Sequence, residues 1–376
     1  MRIYIVEAGD TLTSIAASHQ TTVETLIYAN GMPNPDHLVV GQSIVIPESA
    51  NPSRSAIVNG YAYPYINHEV LRAALPYLTT LSLFSYGFRR DGSLIPIEDD
   101  ELIALARTFG VQSVMMLSTI TEYGSFSSDS IYYILTHPES RTVLFDNILQ
   151  VMEQKGYAGL DIDFEYIDPA YEESYLDFIS YAVSRLHPYG FFVHVDLAPK
   201  TSADQPGLLY EAHNYREIGE RADMVLLMTY EWGYTYGPPM AVAPINQVRR
   251  VLEYGVSEIP PSKILMGIPN YGYDWALPYI RGESRAFSIG NEEALSIAAE
   301  HNAVIEFDPA AMSPYFYYSD GNGTPHVVWF EDARSIQAKY ELIHEFQVLG
   351  PSYWNIMRPF RQNWTILSEM FGIDKG

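Results

Sequence analysis

The chain has 376 residues, 47% of them hydrophobic and only 18% charged, which excludes a disordered polymer and suits either two domains or one large barrel with an appendage. With 46 Asp and Glu against 22 Lys and Arg the net charge is -24, a balance that argues against nucleic acid or an anionic membrane as the main partner. Cysteine is absent, which rules out disulfides, thiolate metal sites and a cysteine nucleophile, whereas 30 Tyr, 16 Phe and 5 Trp provide rings on which the C–H faces of sugars stack well.

The N-terminal stretch MRIYIVEAGDTL alternates like a strand and reaches Glu7 and Asp10 before any apolar run suited to a secretion signal, so none is expected. No apolar run reaches about 18 residues, so neither a transmembrane helix nor membrane insertion is expected. Ile3 to Val6 predicts a strand, Gly9 a turn, and Asp10 or Thr11 a cap for a helix carrying Leu12, Ile15 and Ala16. Thr21 or Thr22 caps a second helix with Val23, Leu26, Ile27 and Ala29. Asn30-Gly31 stops it, and Leu38 to Pro47 (LVVGQSIVIP) closes the unit as a strand. This order of strand, helix, helix and strand, with VEAGDTL (6–12), Ile15-Ala16, LIYAN (26–30) and LVVGQSIVIP, resembles a LysM domain. The resemblance implies a βααβ module for N-acetylglucosamine-containing glycans over residues 1–48; a small domain used only for packing is the competing reading. Residues 49–55 (SANPSRS) have the composition of a linker.

From Ala56 onward short apolar runs alternate with longer stretches whose apolar positions recur every three or four residues. The expected strands are 56–62, 80–88, 111–120, 157–167, 191–199, 224–232, 263–272 and 351–357, with helical stretches such as EDDELIALARTFG and PINQVRRVLEYG between them. About eight βα units in this length predict an α/β fold, a (β/α)₈ TIM barrel over residues 56–376, rather than an open doubly wound sheet. Between the seventh and eighth strands the spacing widens. The run NEEALSIAAEHN and the strand-like pieces AVIEFD, PYFYYSD and HVVWFED predict a small inserted subdomain on the loop face.

The fourth strand carries the chemistry. Asp161, Asp163 and Glu165 alternate with Leu160, Ile162 and Phe164, so the three carboxylates share one face and the apolar side chains the other. Inside a barrel, three carboxylates cannot all ionise cheaply, and at least one is expected to hold a proton near neutral pH. Glu165, nearest the strand's C-terminal end, is the candidate general acid. A solvated edge strand and a metal-binding carboxylate cluster are the competing readings.

GLDIDFE (159–165) resembles the D-G-x-D-x-D-x-E signature of glycoside hydrolase family 18, with Ala158 in place of the first Asp. SLFSY (82–86), MTYEW (228–232), PNYGYDW (269–275) and YWN (353–355) agree with the same family. Within it, MTYEWGYTYGPPM (228–240) is most similar to the branch that lyses spore cortex fragments. The resemblance implies substrate-assisted, retaining hydrolysis of β-1,4 bonds at N-acetylglucosamine. On that basis Glu165 is the acid and base, Asp163 orients the 2-acetamido group and stabilises positive charge, and Asp161 shares a proton with Asp163. Tyr230 donates to the acetamido oxygen, and Trp354 floors the subsite where the sugar distorts. No cofactor and no metal is implied.

Tyr86, Trp232, Tyr271 and Trp275 are candidate sugar-stacking rings and Glu231 a candidate substrate contact, each with core or rim packing as the alternative. His194 reads as a satisfied core histidine and SFSSDS (125–130) as a helix-capping loop, and no phosphate-binding loop is present. Three functions remain open: a β-N-acetylglucosaminidase of bacterial peptidoglycan acting on spore cortex in germination, a chitinase or chitooligosaccharide hydrolase, and a non-catalytic wall-binding protein. The branch resemblance and the lack of a signal peptide favour the first and imply a spore coat or cortex surface location, with cell-wall association otherwise.

Overall fold

The computed structural model describes residues 1–32, 35–48, 52, 54–119 and 128–375. The N-terminal unit consists of β1 (Arg2–Ile5), α1 (Leu12–Ser18), α2 (Val23–Asn30) and β2 (Ser43–Ile46), with β1 antiparallel to β2 from Arg2 opposite Ile46 to Ile5 opposite Ser43. Of the two expected caps for each helix, the second serves. Thr11 accepts from the Ser14 N–H at 3.0 Å in a reciprocal capping box, and Thr22 accepts from the Thr25 N–H at 3.1 Å. Gly31 ends α2 in the left-handed conformation. Val6, Leu12, Ile15, Leu26 and Ile44 make a small core of their own.

Seven parallel strands follow: β3 (Asn59–Ala62), β4 (Thr80–Phe88), β5 (Gln112–Ser118), β6 (Gly159–Asp163), β7 (Phe192–Leu197), β8 (Met224–Leu227) and β9 (Ile264–Pro269). The main helices around them are α3 (His68–Ala74), α4 (Asp100–Thr108), α5 (Ser128–Thr136), α6 (Pro138–Lys155), α7 (Glu172–Leu186), α8 (Tyr215–Arg221) and α9 (Ile245–Glu258). The chain then builds a five-stranded antiparallel sheet from β10 (Gly272–Ala276), β11 (Phe287–Ile289), β12 (Glu306–Asp308), β13 (Ser313–Ser319) and β14 (Pro325–Trp329), with α10 (Asn291–Glu300) beside it. It returns through α11 (Ala333–Phe346) to β15 (Gly350–Trp354) and ends in α12 (Arg361–Met370). β15 pairs with β9 and with β3, and β3 pairs with β4, so the eight parallel strands close into a barrel, as the sequence predicts.

Several barrel strands are shorter than the apolar runs suggested. The backbone turns out of extended geometry at Tyr166 (φ 56) and Glu231 (φ 67), so residues 164–167 and 228–232 belong to the loops beyond β6 and β8. Gly272–Ala276 forms a strand of the inserted sheet instead of a tail on β9. Ile120, most of SFSSDS and positions 49–51 and 53 lie outside the described residues, and Ser128 to Ser130 begin α5. The end of the expected linker is structured: Ser55 pairs in parallel with Gly372, and the Arg54 guanidinium donates to the carbonyls of Ile343, at 2.9 Å, and Val348.

The N-terminal unit sits firmly on the barrel. The buried Gln362 amide donates to Asn30 Oδ1 at 2.9 Å and to the Ser43 carbonyl at 2.8 Å, and Thr365 donates to the Ala29 carbonyl at 2.6 Å. On the other side the Ile305 N–H donates to the Val40 carbonyl at 2.9 Å, which ties the unit to the inserted subdomain as well. Buried polar groups that find each other in this way fix orientation, because separating them leaves each without a partner. Among the described residues no helix is long and apolar enough to cross a membrane.

Candidate active site

In β6 the side-chain alternation does what the pattern demands. Leu160, Ile162 and Phe164 are fully buried on the outer face, where Phe164 packs on Tyr175 and Phe178 of α7. Asp161 and Asp163 point into the barrel, and Glu165 lies two residues past the strand end, at the barrel mouth. Asp161 is sealed beneath the mouth. Its Oδ2 accepts from the Tyr61 hydroxyl at 2.8 Å and from Ser82 Oγ at 3.2 Å, and His194 Nδ1 lies 3.5 Å away. The same Tyr61 hydroxyl lies 2.9 Å from Asp196 Oδ1. One hydroxyl proton cannot serve two carboxylates at once, so a further proton resides in the cluster. Asp196 is the group for it: burial, then the charges of Asp161 and Asp163, hold its carboxyl well above the usual range. Asp161, His194 and Asp196 also offer three ligand atoms within 4.8 Å of one another, a donor set of the kind cations use.

Above this cluster lies a cavity of about 510 Å³ whose wall includes Asp163, Glu165, Tyr230, Glu231 and Trp354. Burial, reinforced by Glu165 and Asp161, pushes the Asp163 carboxyl well up. Burial and then the charge of Glu231 raise Glu165. Glu231 is open to the cavity yet ringed by protein; loss of bulk water pushes its carboxyl up, while the hydroxyls of Tyr271 and, at 3.0 Å, Tyr273 donate to Oε1 and pull it back. Tyr230 is kept neutral by burial and by the surrounding carboxylates. Its ring fits because residue 267 on β9 is glycine: a Cβ there would stand 2.7 Å from the Tyr230 ring. Two carboxyls whose proton affinity is raised and a phenol thus face one space, an arrangement suited to protonating a leaving oxygen while cradling a developing positive charge.

The model of glycosyl hydrolases family 18 matches residues 106–358, about two thirds of the chain, and that of the LysM domain matches residues 4–47. The chain belongs to glycosyl hydrolases family 18. It is a glycosidase with an N-terminal LysM domain. The chain is 38% identical to the cortical fragment-lytic enzyme of Bacillus subtilis (strain 168), an alignment that covers 100% of this chain and 99% of the relative. Its structure superposes on that of the spore cortex-lytic enzyme SleL of Bacillus megaterium QM B1551 with a TM-score of 0.94 at 36% identity, covering 100% of this chain and 99% of the other. The corresponding figures for SleL of Bacillus cereus are 0.83, 38%, 99% and 87%.

With the family 18 barrel in place, the expected residues separate into two groups. Asp163, Glu165, Tyr230, Glu231 and Trp354 meet in the central cavity, with Asp161 beneath them. Trp354 stands edge-on to Phe84, with ring centroids 5.1 Å apart, and to Tyr61 at 5.6 Å. Trp232 lines an adjoining recess with Tyr166, Tyr210 and Tyr234, and Tyr271 lines another with Tyr65 and Tyr273. Tyr86 and Trp275 do not reach this space. Each is only 1% exposed; the Tyr86 hydroxyl donates to the buried Asp99 at 2.6 Å and the Trp275 indole N–H to the Gly237 carbonyl at 2.9 Å, so both rings are packing elements rather than sugar platforms. His194 is buried but not fully satisfied, since its Nε2 has no hydrogen-bond partner. Ala158 precedes β6 at the opposite end of the strand from the cavity, which places the departure from the family motif away from the site.

Sequence reasoning overlooked Tyr61, Ser82 and Asp196. The signal was available in the same period of two. Asn59 and Tyr61 on β3, Thr80 and Ser82 on β4, and His194 and Asp196 on β7 are polar residues at alternate positions of otherwise apolar strands, as Asp161 and Asp163 are on β6.

Proposed function

We propose that this glycosidase is a β-N-acetylglucosaminidase of bacterial peptidoglycan, acting on spore cortex fragments during germination and residing at the cortex or coat of the spore. The observation that carries the reading is the meeting of Asp163, Glu165 and Tyr230 in one cavity, where burial and its carboxylate neighbours push the Asp163 carboxyl well up and favour its protonated form. A protonated Asp163 is a poor nucleophile, which suits attack by the substrate's own 2-acetamido oxygen. Glu165 protonates the glycosidic oxygen, the acetamido oxygen closes on the anomeric carbon, and Tyr230 donates to that oxygen. Asp163 accepts from the acetamido N–H and, as positive charge grows on the oxazolinium ion, passes its proton down to Asp161, whose neighbours Tyr61 and Asp196 each already carry one. Glu165 then takes a proton from the incoming water, which opens the ring with net retention. Trp354, on the cavity wall, floors the distorted sugar, and Glu231, Trp232 and Tyr271 flank it. Residues 1–48 hold the glycan, and the barrel of residues 56–376 cuts it.

The carbohydrate classes that remain are separated by mass spectrometry of two digests. Purified enzyme is expected to release cortex muropeptide fragments with N-acetylglucosamine at the reducing end and to leave chitin polymer largely intact. Efficient chitin turnover with inert cortex fragments would overturn the proposal.

A further inference from the structure

The described cleft is lined by carboxyls, phenols and apolar rings, and one basic side chain interrupts them. Arg358 lines the recess of about 390 Å³ that adjoins the central cavity and shares Tyr63, Glu231 and Trp354 with it. The two other described parts of the cleft are lined by no lysine or arginine. In a chain of net charge -24 several arginines pair with acids, as Arg249 does with Glu345 and Arg216 with Glu258. Among the described residues Arg358 has no such ion pair. It is held in place by neutral groups instead. Nη1 donates to Ser288 Oγ and Nη2 to the Ser288 carbonyl, both at 2.9 Å. The side-chain stem lies over Gly290, where an added Cβ would come within 3.2 Å of Cδ, and the Asn270 amide donates to the Arg358 carbonyl at 2.9 Å. A guanidinium carries five N–H donors, so anchoring through two leaves three for a ligand, in the planar fork that matches a carboxylate.

Beside it, the Glu231 carboxyl is engaged by the hydroxyls of Tyr271 and Tyr273, which donate to it and leave the Arg358 guanidinium free of it. A neutral glycan has no use for a preorganised, unpaired cation at this position. An N-acetylmuramic acid residue bears a lactyl ether whose carboxyl is free or extended by a peptide that itself ends in a carboxylate.

We propose that Arg358 is a specificity residue that binds a carboxylate on the sugar adjoining the cleaved N-acetylglucosamine, so that the cleft selects acidic muramyl glycans over their neutral counterparts. The inference rests on the peptidoglycan reading above and adds which group of that polymer is recognised and by what.

The test compares two forms of one oligosaccharide of alternating N-acetylglucosamine and N-acetylmuramic acid, with the lactyl carboxylates free or converted to the methylamide. The wild type is expected to favour the free acid about tenfold in KM, the worth of one charge-assisted pair, and to lose this preference as salt is raised. Arg358→Met, which keeps the apolar stem, should erase the preference and its salt dependence, and Arg358→Lys should restore part of both. A wild type that cuts both forms equally well, or a preference that survives in Arg358→Met, overturns this inference alone. A wild type that digests cortex fragments but cuts neither form also overturns this inference alone, whereas one inert on the cortex fragments as well overturns the peptidoglycan reading and this inference with it.

Discussion

His213 Nε2 donates to the carbonyl oxygen of Phe164, 3.0 Å away, directly before Glu165 in the chain. Its Nδ1 accepts from the Ala198 N–H at 2.8 Å, so one buried imidazole, fixed as the Nε2–H tautomer, couples the mouth end of β6 to that of β7. A charged ring would have no acceptor role for Nδ1, and burial pushes the imidazole down to about 4.

This group makes folding sensitive to acid. Its folded value of about 4 lies below the ordinary 6.5, so its contribution is complete above pH 6.5 and is lost as pH falls toward 4, where the unfolded chain takes up the proton first. The full difference amounts to about 3 kcal/mol. His213→Gln, which can donate and accept but does not titrate in this range, should flatten the pH dependence of stability between 6.5 and 4 relative to the wild type. Denaturant melts across that interval measure it, and parallel curves for the two proteins would contradict the assignment.

Removing the acid tests the chemistry directly. Glu165→Gln should lower kcat by on the order of 10²–10⁴-fold while glycan binding by residues 1–47 is retained. Turnover at the wild-type rate would mean that another group protonates the leaving oxygen.

The alkaline limb of the rate profile belongs to the same carboxyl, because Glu165 must be protonated to act and its carboxyl is raised by burial and by Glu231. Activity is therefore present at low pH and is lost as pH rises through that elevated value. Glu231→Gln takes away the negative neighbour, Glu165 ionises more readily, and the alkaline limb of kcat/KM should move to lower pH. A limb that stays in place or moves upward would show that Glu231 does not tune the acid.

Tyr61 is the donor shared by Asp161 and Asp196. Tyr61→Phe leaves buried carboxylate oxygens without that donor, at a cost of about 1–3 kcal/mol in stability. It should also lower kcat more than it alters KM, since the cluster lies below the cavity and takes up the Asp163 proton only as the reaction proceeds. Paired melting and kinetic measurements check both effects; an unchanged kcat would remove the cluster from the mechanism.

The seating of the LysM domain depends on one glycine. Gly41 adopts φ +85, and a Cβ there would stand 1.9 Å from the Ile305 carbonyl oxygen. Gly41→Ala should lower overall stability by more than about 1 kcal/mol and expose the region around residues 38–42 to proteolysis. Unaltered melting and cleavage would show that this contact yields without cost.

Length, period and punctuation settled a good deal before any tertiary structure was known. The caps Thr11 and Thr22 and the stop at Gly31 are local hydrogen-bonding and backbone effects, and the alternation along β6 is a consequence of strand geometry alone, so the βααβ module, the barrel and the inward face of Asp161 and Asp163 were legible. What the sequence could not decide is what each ring and carboxylate faces across the barrel. Tyr61 and Asp161 are 100 residues apart, and Arg358 and Ser288 are separated by 70. An aromatic motif assigns Tyr86 and Trp275 to a sugar platform as readily as Trp354, yet the barrel strand β4 and the inserted strand β10 bury the first two and leave the third at the cavity. Burial and the nearness of like charges, which push the carboxyls of Asp163, Asp196 and Glu165 upward, are properties of the packed interior and exist only once distant strands have met.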